Sequence, residues 1–254
     1  RSLPNALAFD RNTGIMAHNT AFDRRVSWAA GVFRQTDSFG DSEGSNYNFS
    51  LRVTALPWMA QADHFVHVGA AYRNTNPEND ELSFSAKPEA HNTVNFADTG
   101  TIAADGMNSL GAELAVVYGP LSFQSEYILA SLDSADGTDP DFEGWYAYVS
   151  YWLTGESRPY KANHGVFGRV HPDSNYLTGE GYGAWEVGLR YSSLDLTDGS
   201  VDGGELSNVT VGMNWHLNAS SRVMANYVHS ELDERGLSDS ENVDLVQLRF
   251  QVDF

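Results

Sequence analysis

The last nine residues of the chain alternate without a fault. Val246, Leu248, Phe250, Val252 and Phe254 take the even positions, and Gln247, Arg249, Gln251 and Asp253 take the odd ones. A strand has period two, so one face here is wholly apolar and the other polar and charged. A soluble sandwich turns its apolar face to a core and usually follows its last strand with a turn or a tail. A strand with an arginine in its polar row suits a wall between lipid and water, which predicts a membrane β-barrel.

The same alternation recurs along the whole chain. Eleven segments read as spanning strands: 13–19, 25–34, 47–56, 64–73, 107–118, 121–131, 144–153, 184–194, 206–217, 221–230 and 243–254. Most are near the ~9–11 residues that a tilted membrane strand needs. The cleanest sets Val209, Val211, Met213, Trp215 and Leu217 against Asn208, Thr210, Gly212, Asn214 and His216. Trp185, Val187, Leu189 and Tyr191 oppose Glu186, Gly188, Arg190 and Ser192 in the same way, and Tyr47, Phe49, Leu51 and Val53 oppose Asn48, Ser50, Arg52 and Thr54. Aromatics such as Tyr118, Tyr151, Trp185, Trp215 and Phe254 then fall near the membrane interfaces.

Composition narrows the function. No apolar run approaches the ~20 residues of a transmembrane helix. The net charge is −19 and the lysines are only two, Lys87 and Lys161, which excludes nucleic acid as a partner. Cysteine is absent, as suits an exported protein without disulfides. The acids gather in stretches 37–43, 133–143, 195–205 and 231–244, read as a solvated cell surface. Residues 133–141 have the composition of a calcium loop but lack its terminal Glu and flanking helices, so they read as an acidic hairpin tip. His164 and His171 lack a metal-ligand spacing, and no metal or cofactor is expected. Arg1-Ser2-Leu3-Pro4 is no leader core, so an export signal is expected to be cleaved or upstream.

The connections set the direction of each strand. Gly119-Pro120 and residues 20–24, 57–63 and 218–220 make short turns, and most others are long and rich in Asp, Gly and Ser. Outer-membrane barrels put short turns in the periplasm and long loops outside. Residues 74–106 should therefore lie outside, with 82–87 as a loop strand. Residues 154–183 start from the periplasmic side, where so long a connection must plug or line the pore unless the strand parity is wrong. With eleven strands, the first and last run parallel. Single-chain bacterial barrels close antiparallel with even counts, so an odd number of N-terminal strands is expected to be missing from a single barrel domain spanning 1–254.

At this point the residues resemble a known family. Leu153-Thr154-Gly155-Glu156-Ser157-Arg158-Pro159-Tyr160 with Gly165-Val166-Phe167-Gly168-Arg169-Val170 resembles a block of the phosphate-selective porins of the O and P type. So do Lys87-Pro88-Glu89-Ala90-His91, Gly183-Ala184-Trp185-Glu186, Met224-Ala225-Asn226-Tyr227-Val228-His229 and the C-terminal strand, while Arg1-Ser2-Leu3-Pro4-Asn5-Ala6 looks like the start of the family's second half. The resemblance implies an up-and-down barrel of about sixteen strands, five more than the eleven read here. It also implies a homotrimer in outer-membrane lipid and lipopolysaccharide, small anions such as phosphate as solutes, and a constriction loop upstream of this chain.

Conduction needs a watery lumen with charge at its narrowest point. Strand phase turns Arg52, Arg73, Arg190, Arg222 and Arg249 inward, and the planar arginine fork suits phosphate. The same phase turns Glu113, Glu126 and Glu186 inward, so these arginines could instead pair with lumen acids in a structural role. Lys87 sits in the outer insertion that should reach the pore. Arg158, Lys161 and Arg169 share the periplasmic insertion. Two rivals come from other classes. A barrel hydrolase would need a Ser and a His on the lipid face, yet His67 and His216 point inward without a nucleophile motif. A non-conducting adhesion barrel would fit the acidic loops but would give no stable single-channel current.

Overall fold

The computed structural model describes residues 2–8, 11–34, 46–90, 92–176, 181–233 and 241–253. The acidic stretch 37–43, His91 and Phe254 lie outside the described residues.

The strands are β1 (Thr13–Ala21), β2 (Val26–Arg34), β3 (Tyr47–Gln61), β4 (His64–Thr75), β5 (Glu81–Ala86), β6 (Ala97–Tyr118) and β7 (Leu121–Ser134). They continue as β8 (Asp141–Trp152), β9 (Tyr160–Lys161), β10 (Val166–Phe167), β11 (Ala184–Asp198), β12 (Val201–Asn218), β13 (Ser221–Asp233) and β14 (Glu241–Val252). Eleven of them form one antiparallel path, β1-β2-β3-β4-β6-β7-β8-β11-β12-β13-β14, matching the eleven segments read from the alternation. β5 hangs off this path by pairing with β6, so 82–87 is indeed a loop strand. Among the described residues β1 pairs only with β2 and β14 only with β13, so the sheet is open. Among the described residues no helix is long and apolar enough to cross a membrane.

Each strand keeps its apolar row outward. Leu189 (52% exposed), Val211, Met213, Val149, Leu114 and Leu248 all present large apolar side chains to the surroundings. Their neighbours Ser150, Ser192, Asn208 and Thr210 are buried on the opposite, polar face. Tyr118, Tyr151, Trp185 and Trp215 gather on the apolar face at the short-turn end, where Trp185 and Trp215 stack with centroids 5.0 Å apart. Leu217 departs from the expected row: it is buried, just where a bulge shifts the register between His216 and Asn218.

The strands run further than the alternation predicts, and the extensions obey a reversed rule. β6 starts ten residues before 107, and residues 57–61 are strand with bulges, not turn. On β11 the apolar residues are odd up to Tyr191, then even at Leu194 and Leu196. Leu132, Phe142, Leu206 and Leu232 follow suit on neighbouring strands, all buried on the inner face. The reason is packing. Along these extensions the inner face is covered by β5 and by a 3-10 turn, Leu3–Leu7. Leu3, Leu7, Leu82 and Phe84 join those inner residues in one hydrophobic cluster. Burying a Leu or Phe side chain stabilises by about 1.5–3 kcal/mol, so this cluster is what holds the β5–β6 hairpin inside.

Segment 154–183 returns to the short-turn end, and its flanking strands β8 and β11 pair antiparallel. The parity is therefore sound, and residues 158–167 of the segment line the polar face. There β9 and β10 form a two-residue hairpin whose Tyr160 and Phe167 pack on buried Phe65. The acidic tip between β7 and β8 spends its carboxylates on itself: Asp139 accepts from Ser134 N at 2.9 Å, and Asp136 from Thr138 N at 3.1 Å.

Candidate functional site: the polar face of the sheet

Two insertions divide the polar face. From the long-loop end, the β5–β6 hairpin reaches across to β11, β12 and β14. Its turn is tight, with Glu89 N donating to Lys87 O at 2.6 Å and Glu89 at φ +55°, a left-handed conformation rare outside glycine. That turn drives the Glu89 carboxylate into the wall, where its side chain is 2% exposed. Arg190 on β11 forms an ion pair with it. Ser192 Oγ donates to Oε1 at 2.6 Å, and Thr210 Oγ1 on β12 donates to Oε2 at 2.9 Å. Gln247 Nε2 on β14 donates to the Glu89 carbonyl at 3.2 Å.

A cavity of about 560 Å³ opens beside this contact. Lys87, Arg190 and Arg249 line it together with Asn214, Asn226 and Gln247. Three of the cationic candidates, far apart in sequence, are thus brought together. The wall between them is amide, able to donate to an anion or accept from a hydrated cation.

From the short-turn end, segment 154–183 builds a second cluster. Arg52 Nε and Nη2 each meet a Glu113 oxygen at 2.6 Å, the paired fork geometry of arginine on a carboxylate. Nη2 also donates to Gly165 O at 2.9 Å, so the guanidinium ties β3, β6 and the inserted segment together. His67 lies between Glu113 Oε2 at 3.2 Å and Tyr160 OH at 2.7 Å. Arg158 stacks on Phe167, its guanidinium carbon 3.8 Å from the ring centroid, and donates to Gln124 Oε1 at 2.9 Å. Burial pushes the Arg158 guanidinium down from its usual value, yet arginine stays charged in proteins. These groups face a smaller cavity of about 280 Å³.

The lumen acids divide accordingly. Among the described residues, Glu113 is the one of the three that pairs with an arginine. Glu126 accepts from Tyr146 OH at 2.7 Å and Gln124 Nε2 at 2.9 Å. Glu186 accepts from Tyr148 OH and Asn214 Nδ2, both at 2.8 Å. The remaining cations lie apart. Arg73 Nη2 donates to Asn12 Oδ1 at 2.6 Å, and Arg222 Nη2 donates to Gln251 Oε1 at 3.0 Å. Arg169 bridges Asp253 at 3.0 Å and the Ala219 carbonyl, fastening the inserted segment to the end of β14. Lys161 is exposed on β9.

Sequence reasoning missed Glu89 as the partner of Arg190. It stands in a loop motif with no periodicity to announce its direction. The one available signal was its neighbour Pro88, which marks a turn.

Comparison with known proteins agrees with this geometry. The profile of the family described as phosphate-selective porin O and P matches residues 3–254. Porin O of Pseudomonas aeruginosa is 28% identical over 225 residues, covering 76% of this chain and 50% of that protein. An uncharacterized protein of Caulobacter vibrioides is 28% identical over 223 residues, covering 85% of this chain and 44% of that one. The chain thus spans about half the length of the curated relatives it matches.

Proposed function

The chain belongs to the family of phosphate-selective porins O and P, β-rich proteins of the bacterial outer membrane, and on that premise we propose that it forms most of the wall of a passive diffusion channel. The solutes are small and hydrophilic, and anions such as phosphate are modestly preferred. The observation that carries this reading is the convergence of Lys87, Arg190 and Arg249 on one amide-lined cavity of the polar face. Around it Glu113 pairs with Arg52 and Glu89 pairs with Arg190, while Glu126 and Glu186 keep their charge on tyrosine hydroxyls and side-chain amides, so the anion preference is modest. A channel lining, not a catalytic centre, is the reading that membership of a porin family supports.

The remaining parts of the barrel belong to the same reading. Two open edges and an odd number of antiparallel strands require further strands for closure in lipid, where unpaired backbone groups find no partner. Homotrimeric assembly in lipid and lipopolysaccharide completes it.

The test is single-channel recording of the full-length protein in a planar bilayer. The wild-type reversal potential in a chloride gradient should lie on the anion side, and added phosphate should reduce the chloride current. Lys87→Glu and Arg249→Glu should each move the reversal potential toward cations. A wild-type channel that is cation-selective and indifferent to phosphate would show that the acids set the field.

A further inference from the structure

Glu89 does more than fasten a loop. Its carboxylate sits among Arg190, Ser192 Oγ at 2.6 Å and Thr210 Oγ1 at 2.9 Å, all from two neighbouring strands. One guanidinium and two hydroxyls aimed at a pair of oxygens are the donors that a phosphate or sulfate would also take. The wall supplies every donor and the hairpin supplies only the acceptor. Arg190 Nε, buried beside the carboxylate, has no hydrogen-bond partner among the described residues, so the cluster holds more donor capacity than Glu89 uses there. The cavity lined by Lys87, Arg190, Thr210 and Arg249 gives a dissolved ion access to the same spot. The chain also reaches this position by a costly path, a non-glycine residue at φ +55°.

We propose that Arg190, Ser192 and Thr210 form an oxyanion-binding subsite which the Glu89 carboxylate occupies, so that the hairpin tip and a dissolved oxyanion compete for one set of donors. The proposal rests on the porin reading above. In it, Glu89 is an internal stand-in for substrate. It keeps the part-buried guanidinium neutralised when no ion is there and sets how tightly the site can hold one. A passing oxyanion displaces the carboxylate and is displaced in turn, which keeps binding weak enough for release.

The experiment measures binding of inorganic phosphate to the full-length protein in detergent by titration calorimetry, with bilayer recordings alongside. Glu89→Gln keeps the shape of the side chain and removes its charge, and it should tighten phosphate about tenfold. Sulfate should gain likewise and acetate less, because a carboxylate leaves the donor capacity at Arg190 Nε unused. Adding Ser192→Ala and Thr210→Ala to Glu89→Gln should cancel the gain. Glu89→Ala provides a second opening of the site should the glutamine hold the donors itself. Unchanged phosphate affinity in both Glu89 variants would overturn the proposal, as would a gain that survives loss of the two hydroxyls. Absence of wild-type conductance would strike the porin reading instead, while the calorimetric comparison would still decide the subsite.

Discussion

Gly165 is a point of close approach between the inserted segment and the wall. Its φ is +62°, and a Cβ there would lie 2.2 Å from Thr54 Oγ1 and 2.6 Å from Ser27 Oγ. Those two hydroxyls are themselves buried and bonded to each other at 2.7 Å, so they have little room to retreat. The carbonyl of the same glycine accepts from Arg52. One residue therefore combines a left-handed backbone, a close approach and a charge-assisted hydrogen bond. Gly165→Ala should undock the segment through strain and overlap together, costing about 1–3 kcal/mol. Arg52→Ala should act in the same direction by leaving Glu113 half-buried without its cation, at about 1–3 kcal/mol once its partial exposure is allowed for. Limited trypsin digestion reads both: cleavage after Lys161 should quicken roughly tenfold for each 1.4 kcal/mol lost, if opening limits the reaction. Unchanged digestion in both variants would mean that the aromatic contacts of Tyr160 and Phe167 alone hold the segment.

At the scale of the element, the apolar row changes sides partway along the strands. Leu189 faces outward between Trp185 and Tyr191, and Leu196 on the same strand is fully buried inside. Leu189→Arg should cost about 2–4 kcal/mol in lipid, measured by urea unfolding from vesicles. Phe142→Ala, on the inner face and 0% exposed, should cost about 3–5 kcal/mol by cavity formation while leaving lipid insertion intact. Equal effects of both changes on insertion would contradict the division. The same feature explains what the sequence could and could not disclose. Eleven strands were legible because lipid on one side and water on the other impose period two residue by residue. The ends of β7, β8, β11 and β12 were not, because there the apolar face answers to a hairpin and a short helical turn arriving from elsewhere in the chain. Lys87, Arg190 and Arg249 could be assigned inward from phase and loop parity. Their convergence, and the pairing of Arg190 with Glu89 across 101 positions, are tertiary facts without a local signature.

For the molecule as a whole, the exposed rims decide its behaviour. Ile15 is 85% exposed on β1, and Val246 is 86% exposed on β14, each on a strand with one side unpaired among the described residues. Strands left in this state recruit other strands. These eleven strands expressed alone should aggregate on refolding, whereas the full-length protein should give a compact species whose mobility in SDS gels changes only on boiling. A soluble, monodisperse product from the eleven strands alone would argue that the two rims meet. Closure has a further constraint. The strands at the two rims run in the same direction, since ten successive antiparallel steps separate them. Identical copies standing the same way up in a membrane would always bring a β14 beside a β1 pointing the same way. No ring of such copies, of any size, can join its rims by antiparallel pairing. The arrangement of strands thus works as a selection rule against antiparallel self-assembly through the rims: a wall closed in antiparallel fashion would need an odd number of further strands, which same-way-up copies of these eleven cannot supply to one another.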